Sequence, residues 1–165
     1  MQSLKRFLFT LLAMALLLPP SAFALQKGDT PPTLTGRILD GGDFDLRESK
    51  GRPIILKVGT TWCPSCGQQT EEIGKIRDFI DRHDIEYIEI FVQEREKTVR
   101  SFINRSGHHK PDQVVLDQGR IARALNIYAI PRLILIDGDY RVFRDGDPLS
   151  SGQLQQQLEK MLTKK

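Results

Sequence analysis

Two hydrophobic periods alternate along this chain, and the switches between them lay out its elements. Residues 53–58 form a mostly apolar run with β-branched side chains, the pattern of a buried parallel strand. Residues 86–92, with Tyr87, Ile88, Ile90 and Phe91 apolar, form a second run, and 114–116 and 133–136 are shorter ones. Between these runs the period lengthens. Ile73, Ile76, Phe79 and Ile80 share one face of a helix expected over about 64–83. Val99, Phe102 and Ile103 do so over 94–104, and Leu154, Leu158, Met161 and Leu162 do so from about Ser150 onward. Asp117 can cap a further helix carrying Ile121, Ala124 and Leu125. Ahead of all this, a strand over 33–39 turns at Asp40-Gly41-Gly42 toward Phe44 and Leu46, as in a hairpin. Asp137-Gly138 joins 133–136 to a partner over 140–143. Strands that alternate with helices predict parallel pairing through right-handed crossovers, and the final hairpin adds antiparallel strands. The expected class is α/β, with a central mixed sheet flanked by helices.

The first 24 residues follow another logic. Lys5 and Arg6 precede an apolar run over 7–18, then Pro19-Pro20 and the small-x-small triplet Ala22-Phe23-Ala24. That order predicts an export signal over 1–24, removed to leave one domain over 25–165. The run is shorter than the roughly 20 residues of a membrane span, although an uncleaved anchor is the competing reading. No cysteine follows it to carry a lipid. The expected location is periplasmic or otherwise exported. The formal charge of +3 on 165 residues falls to near neutral once Lys5 and Arg6 leave, and no basic block remains. Nucleic acid is therefore not an expected partner.

Export changes the reading of the two cysteines, which sit together in Trp62-Cys63-Pro64-Ser65-Cys66. Three residues apart at a helix start, they share a face and can close a disulfide. Pro64 suits the first helical turn, where its missing N–H costs nothing. A thiolate at that end faces unsatisfied N–H groups and the positive end of the helix dipole, which favours the ionised form. A structural staple normally closes a long loop, and this pair closes almost none. Structural zinc needs about four ligands, and a lone pair with scattered histidines supplies too few. The pair reads as redox-active, with Cys63 exposed as nucleophile and Cys66 shielded one turn inward.

The strand, Trp-Cys-x-x-Cys and helix over 54–80 resemble the thioredoxin superfamily. Far downstream, Tyr128-Ala129-Ile130-Pro131, followed by the strand over 133–136, looks like that family's cis-proline loop. The lead-in hairpin and the extra strand and helix between the motifs resemble the exported TlpA/ResA/DsbE-like group, over roughly 26–163. The resemblance implies a thioredoxin-like fold with an N-terminal hairpin and an inserted βα element. It implies a cis bond before Pro131, with Ile130 and Pro131 forming a substrate-facing wall. It implies a thiol–disulfide oxidoreductase that uses no cofactor or metal, only the redox-active Cys63–Cys66 disulfide. Expected partners are protein thiols and disulfides, apocytochrome c among them, with a membrane thiol relay as electron donor. The chain is expected to act as a monomer.

Three positions depart from the family pattern. Lys57 stands where relatives carry a buried acid or an Asn. Buried, its ammonium gives up a proton more readily and could exchange one with Cys66; alternatively it snorkels outward or pairs with an acid. Gln69 stands where the group often has a Glu, so that acid–base role does not carry over, and Glu71 and Glu72 read as solvated helix charges. Pro64-Ser65 lacks the His found between the cysteines of strong oxidants. A potential nearer the roughly −270 to −200 mV of thioredoxin and glutaredoxin than the roughly −120 mV of DsbA is expected, which favours reduction. Trp62 is expected to pack beside the pair, limiting water access, or in the core. Other classes stay open. A copper-binding thioredoxin-fold chaperone would use His108-His109, although such proteins space their cysteines more widely. A thiol peroxidase would need a proline where Leu56 stands. A binding module would hold cysteine-containing chains in the Pro131 groove without chemistry.

Overall fold

The computed structural model describes residues 25–105 and 110–163. Residues 1–24, expected to be an export signal, and His108-His109 lie outside the described residues. The elements are β1 (Thr35–Ile38), β2 (Asp43–Asp45), a 3-10 turn (Leu46–Ser49), β3 (Ile54–Gly59), α1 (Pro64–Gly74), α2 (Arg77–Arg82), β4 (Glu86–Val92), α3 (Glu96–Arg105), β5 (Gln113–Asp117), α4 (Arg120–Ala124), β6 (Arg132–Ile136), β7 (Val142–Gly146) and α5 (Ser151–Leu162).

The strands form one mixed sheet in the order β2-β1-β5-β4-β3-β6-β7. β3, β4 and β5 pair in parallel, and the hairpins at both ends add antiparallel pairs. This is the α/β arrangement that the alternating periods predict. The central strands are covered on both faces. In β3, Ile54, Leu56 and Val58 enter one apolar cluster with Ile88, Ile90, Val115, Ile134 and Ile136. Ile55 faces the other way, into a cluster with Ile73, Phe79, Ile80 and Tyr87 and with Leu154, Leu158 and Met161 of α5. The period of two in a strand puts Lys57 on this second face with Ile55, beneath α1.

The helix expected over 64–83 is two helices. Gly74 ends α1, and Ile76, at φ −113° and ψ 20°, breaks the ladder before α2. Its apolar face survives the break, because Ile73, Ile76, Phe79 and Ile80 all reach the same cluster. Gly74, a poor helix residue, marks the stop, although Gly67 is carried within α1. Asp117 does hold the start of α4, accepting from the N–H groups of Ile121 and Ala122, each at 3.0 Å. Of the apolar residues expected on that helix, Ile121 and Leu125 are buried and Ala124 is exposed. Ser150 and Gln153 form a capping box at α5.

Candidate active site

The two sulfurs are bonded, and their Cα atoms lie 5.2 Å apart. Cys63 is the N-cap of α1, and its Sγ accepts from the N–H of Cys66 at 3.2 Å, with Ser65 Oγ at 3.3 Å. Pro64 occupies the first helical turn. An N-cap position satisfies one orphan donor of the helix through the sulfur, so the group that would carry the negative charge already sits where N–H groups converge. Cys63 is 7% exposed and Cys66 1%. Cys63 is thus nearly buried in the disulfide form, less open than its place at a helix start suggests.

Trp62 is 73% exposed, so it is not a core residue. Thr60, three residues before Cys63, is buried with its hydroxyl unpartnered. Gly59 ends β3 against the second sulfur: a Cβ there would lie 3.0 Å from Cys66 Sγ. Only a residue without a side chain lets Cys66 seat at the strand end without a shift.

Strand register carries Pro131 to the same place. β3 and β6 pair antiparallel with Val58 opposite Arg132, so one step further sets Pro131 beside Gly59. The Ile130–Pro131 peptide is cis. Pro131 is buried and Ile130 half-buried. Two motifs separated by more than sixty residues therefore meet at one end of the sheet, just beyond the carboxyl end of β3.

Behind Cys66 lies a buried polar chain. Lys57 is fully buried and does not snorkel; its Nζ pairs with Glu89 Oε1 and donates to Thr70 Oγ1 at 2.7 Å. Thr70 Oγ1 in turn donates to the carbonyl of Cys66 at 3.2 Å. Glu89 Oε2 accepts from Tyr87 Oη at 2.7 Å. The parallel register sets Lys57 directly opposite Glu89, and equal parity along β4 brings Tyr87 to the same face. Burial, and then the Glu89 charge, hold the Tyr87 phenol well above its ordinary range, so it stays a neutral donor. Sequence reasoning did not find Glu89. The available signal was two charged residues of matching parity in successive buried strands.

Two further residues behave unlike the sequence reading. Gln69 is buried, and its side chain clamps one residue of the segment before α5: Nε2 donates to the Leu149 carbonyl at 3.2 Å, and Oε1 accepts from the Leu149 N–H at 2.7 Å. A carboxylate could make only the second bond. Glu72 is no free helix charge, because it accepts from the Ser151 N–H at 2.6 Å and pairs with Lys75. The Lys75 hydrogen bond, and then those from Ser151, lower its carboxyl to about 2. Glu71 is exposed. Glu94, which the sequence left unremarked, reaches across to the loop before Trp62, accepting from Thr61 N–H at 2.8 Å and from Thr61 Oγ1 at 2.5 Å. Gln93, at φ 54°, turns the chain at the end of β4 just before it.

No group of three or more His, Cys, Asp or Glu able to hold a metal occurs among the described residues. Among them too, no helix is long and apolar enough to cross a membrane.

Comparison with known proteins agrees with this geometry. The Redoxin family model matches residues 26–151. Thiol-disulfide oxidoreductase ResA of Bacillus thuringiensis is 26% identical over 141 residues, which span 85% of this chain and 79% of the relative. The crystal structure of a candidate thiol:disulfide interchange protein DsbE from Chlorobium tepidum superimposes with a TM-score of 0.75 at 19% identity, covering 84% of this chain and 99% of that one. A second C. tepidum structure, a thiol:disulfide interchange protein of the thioredoxin family, gives a TM-score of 0.71 at 23% identity, with 84% and 99% covered. The fold is thioredoxin-like, and the chain belongs to the Redoxin family, among the TlpA/ResA/DsbE-like thiol–disulfide oxidoreductases of the thioredoxin superfamily.

Proposed function

We propose that this chain is an exported enzyme that exchanges its Cys63–Cys66 disulfide with protein clients, working in the reducing direction. The observation that carries the proposal is the N-cap geometry: Cys63 Sγ faces the Cys66 N–H at the start of α1 while Cys66 lies deeper. In the reduced enzyme the Cys63 thiolate attacks one sulfur of a client disulfide. A Cys63–client bond forms, the client S–S bond breaks, and the departing client thiolate takes a proton. Cys66, deprotonated, then attacks Cys63, closing Cys63–Cys66 and releasing the second client thiol. The client's two electrons come from the enzyme dithiol, which a membrane thiol relay restores. The wall of Ile130 and Pro131, set against the end of β3, aligns the client chain. The buried chain from Lys57 through Thr70 to the backbone carbonyl of Cys66 supports a part for Lys57 in managing the Cys66 proton. Pro64-Ser65 supplies no His to stabilise the thiolate further, which supports a reducing potential.

The clients are polypeptides containing a disulfide, with apocytochrome c the candidate that the family suggests. A Cys66→Ala variant tests the reading directly. It should accumulate a mixed disulfide between Cys63 and its client, identified by mass spectrometry after non-reducing capture from the exported fraction. A variant that traps no thiol protein, or a measured potential close to that of a strong oxidant, overturns the assignment of a reductase.

A further inference from the structure

The segment over 25–30 seals an edge of the sheet. Gly28 N–H donates to the Val142 carbonyl at 2.7 Å, and Val142 N–H donates to the Asp29 carbonyl at 2.9 Å. β7 is the outermost strand on that side, and these bonds cover part of its open edge. Lys27 Nζ lies 4.4 Å from the centre of the Phe143 ring, and Arg141 bonds Thr30 Oγ1. The segment ends at Leu25, whose side chain packs against the main apolar cluster.

At that end stands a carboxylate. The Asp145 side chain is 1% exposed. Its Oδ1 accepts from Arg132 Nε at 2.5 Å, and its Oδ2 accepts from the backbone N–H of Leu25 at 3.2 Å. One hydrogen-bonded guanidinium, the more distant charge of Arg144 and one neutral amide thus face a buried carboxylate whose Oδ2 has a single neutral donor. Leu25 is also the residue that follows Ala22-Phe23-Ala24.

We propose that Asp145 is a receptor for the chain's own new N-terminus, formed when the export signal is removed. The inference rests on the reading of residues 1–24 as a signal cleaved after Ala24. A signal peptidase adds water across the Ala24–Leu25 peptide bond, leaving a carboxylate on Ala24 and an ammonium on Leu25. The single amide N–H at Oδ2 is thereby replaced by a cation with three donors, 3.2 Å from a carboxylate shielded from water. A charge-assisted bond is shorter and roughly twice as strong as a neutral one. Asp145 also holds Arg132, the residue after Pro131, so processing at one end of the chain tightens the corner that carries the substrate wall. The new N-terminus locks the edge segment in the exported protein only, because the precursor has no charge there.

Two measurements separate this inference from the reading beneath it. Mass spectrometry of the exported chain fixes its first residue. A start other than Leu25 overturns both the cleavage reading and the inference. With a Leu25 start, the same protein is compared with its Nα-acetylated form, which restores a single neutral amide N–H in place of the charge and its three donors. Acetylation should lower the melting temperature by about 5 °C. In an Asp145→Asn background the same modification should move it by no more than about 1 °C, the size of a surface effect. Amide exchange at Gly28 and Val142 reads the contact without any substitution, and both should be better protected with the free amine. Equal melting temperatures and equal protection of the free and acetylated wild-type forms overturn the inference and leave the cleavage reading intact.

Discussion

Replacing Lys57 by Met is the sharpest test of the buried polar chain. The substitution keeps the length of the side chain and removes its charge. Glu89 is then left enclosed with Tyr87 Oη as its remaining hydrogen-bond partner among the described residues, since Oε1 was occupied by Lys57. Thr70 keeps its bond to the Cys66 carbonyl, so the helix itself is not undercut. Breaking a buried pair by removing one member strands a desolvated charge, which costs about 3–5 kcal/mol. For a domain of this size that corresponds to a fall of roughly 10–15 °C in melting temperature. Urea unfolding of the oxidised protein at pH 7 should show a lower midpoint with an unchanged slope. The double variant Lys57→Met/Glu89→Leu removes both charges and should recover most of that loss, short of the parent by about 1–2 kcal/mol for the Tyr87 hydroxyl that loses its acceptor, because a buried ion pair gains little over a well-packed apolar pair. A single variant that loses less than about 1 kcal/mol, or a double variant as unstable as the single one, refutes the reasoning. The stable double variant then isolates the chemistry. If its pH profile of disulfide exchange matches the parent's, Lys57 has a structural role alone.

Gln69→Glu replaces the donor to Leu149 with a second acceptor in a buried site, and should cost about 2–3 kcal/mol at neutral pH. The loss should shrink in acid, because the protonated acid can again donate; thermal melts at pH 7 and pH 4 decide this, and equal losses count against the clamp. For Glu72, the sign follows from its carboxyl being lowered to about 2 from 4.5: its support of the fold is complete above about 4.5 and disappears as the pH falls toward 2. The stability gap between the parent and Glu72→Gln should therefore be constant above pH 5 and close across that window, a result read from acid titrations monitored by circular dichroism. Gly59→Ala places a methyl 3.0 Å from Cys66 Sγ and should destabilise the oxidised protein by about 1–3 kcal/mol, measured by urea unfolding; a neutral effect would mean that the strand end has room to spare.

Local chemistry made much of this protein legible. The buried parallel strands β3 and β4 announce themselves as apolar runs, α5 by its spacing of leucines, and the start of α4 by Asp117. Each of these follows from the period of a helix or strand, or from a cap, and those are properties of neighbours in sequence. The Cys63–Cys66 pair belongs to the same class, since its spacing and Pro64 specify a helix start by themselves. Gly74 was readable as a weak point in α1, yet the continuous apolar face concealed the stop there.

What neighbours cannot encode is which distant group meets which. Lys57 could have snorkelled or paired, and only the parallel register that sets it opposite Glu89 decided the matter. Gln69 was read against a missing acid, whereas its role is a clamp on Leu149, eighty residues away. Glu94 became visible only when the end of β4 turned toward Thr61. Trp62 was expected beside the cysteine pair or in the core, but the turn out of β3 leaves most of it in solvent. By itself, then, the sequence determined the elements, the reactive pair and the residues of the Pro131 loop. The tertiary structure decided the company those residues keep, because burial turns a lone charge or an unpaired amide into a costly group, and the partner that relieves that cost is chosen by strand register and helix packing rather than by position along the chain.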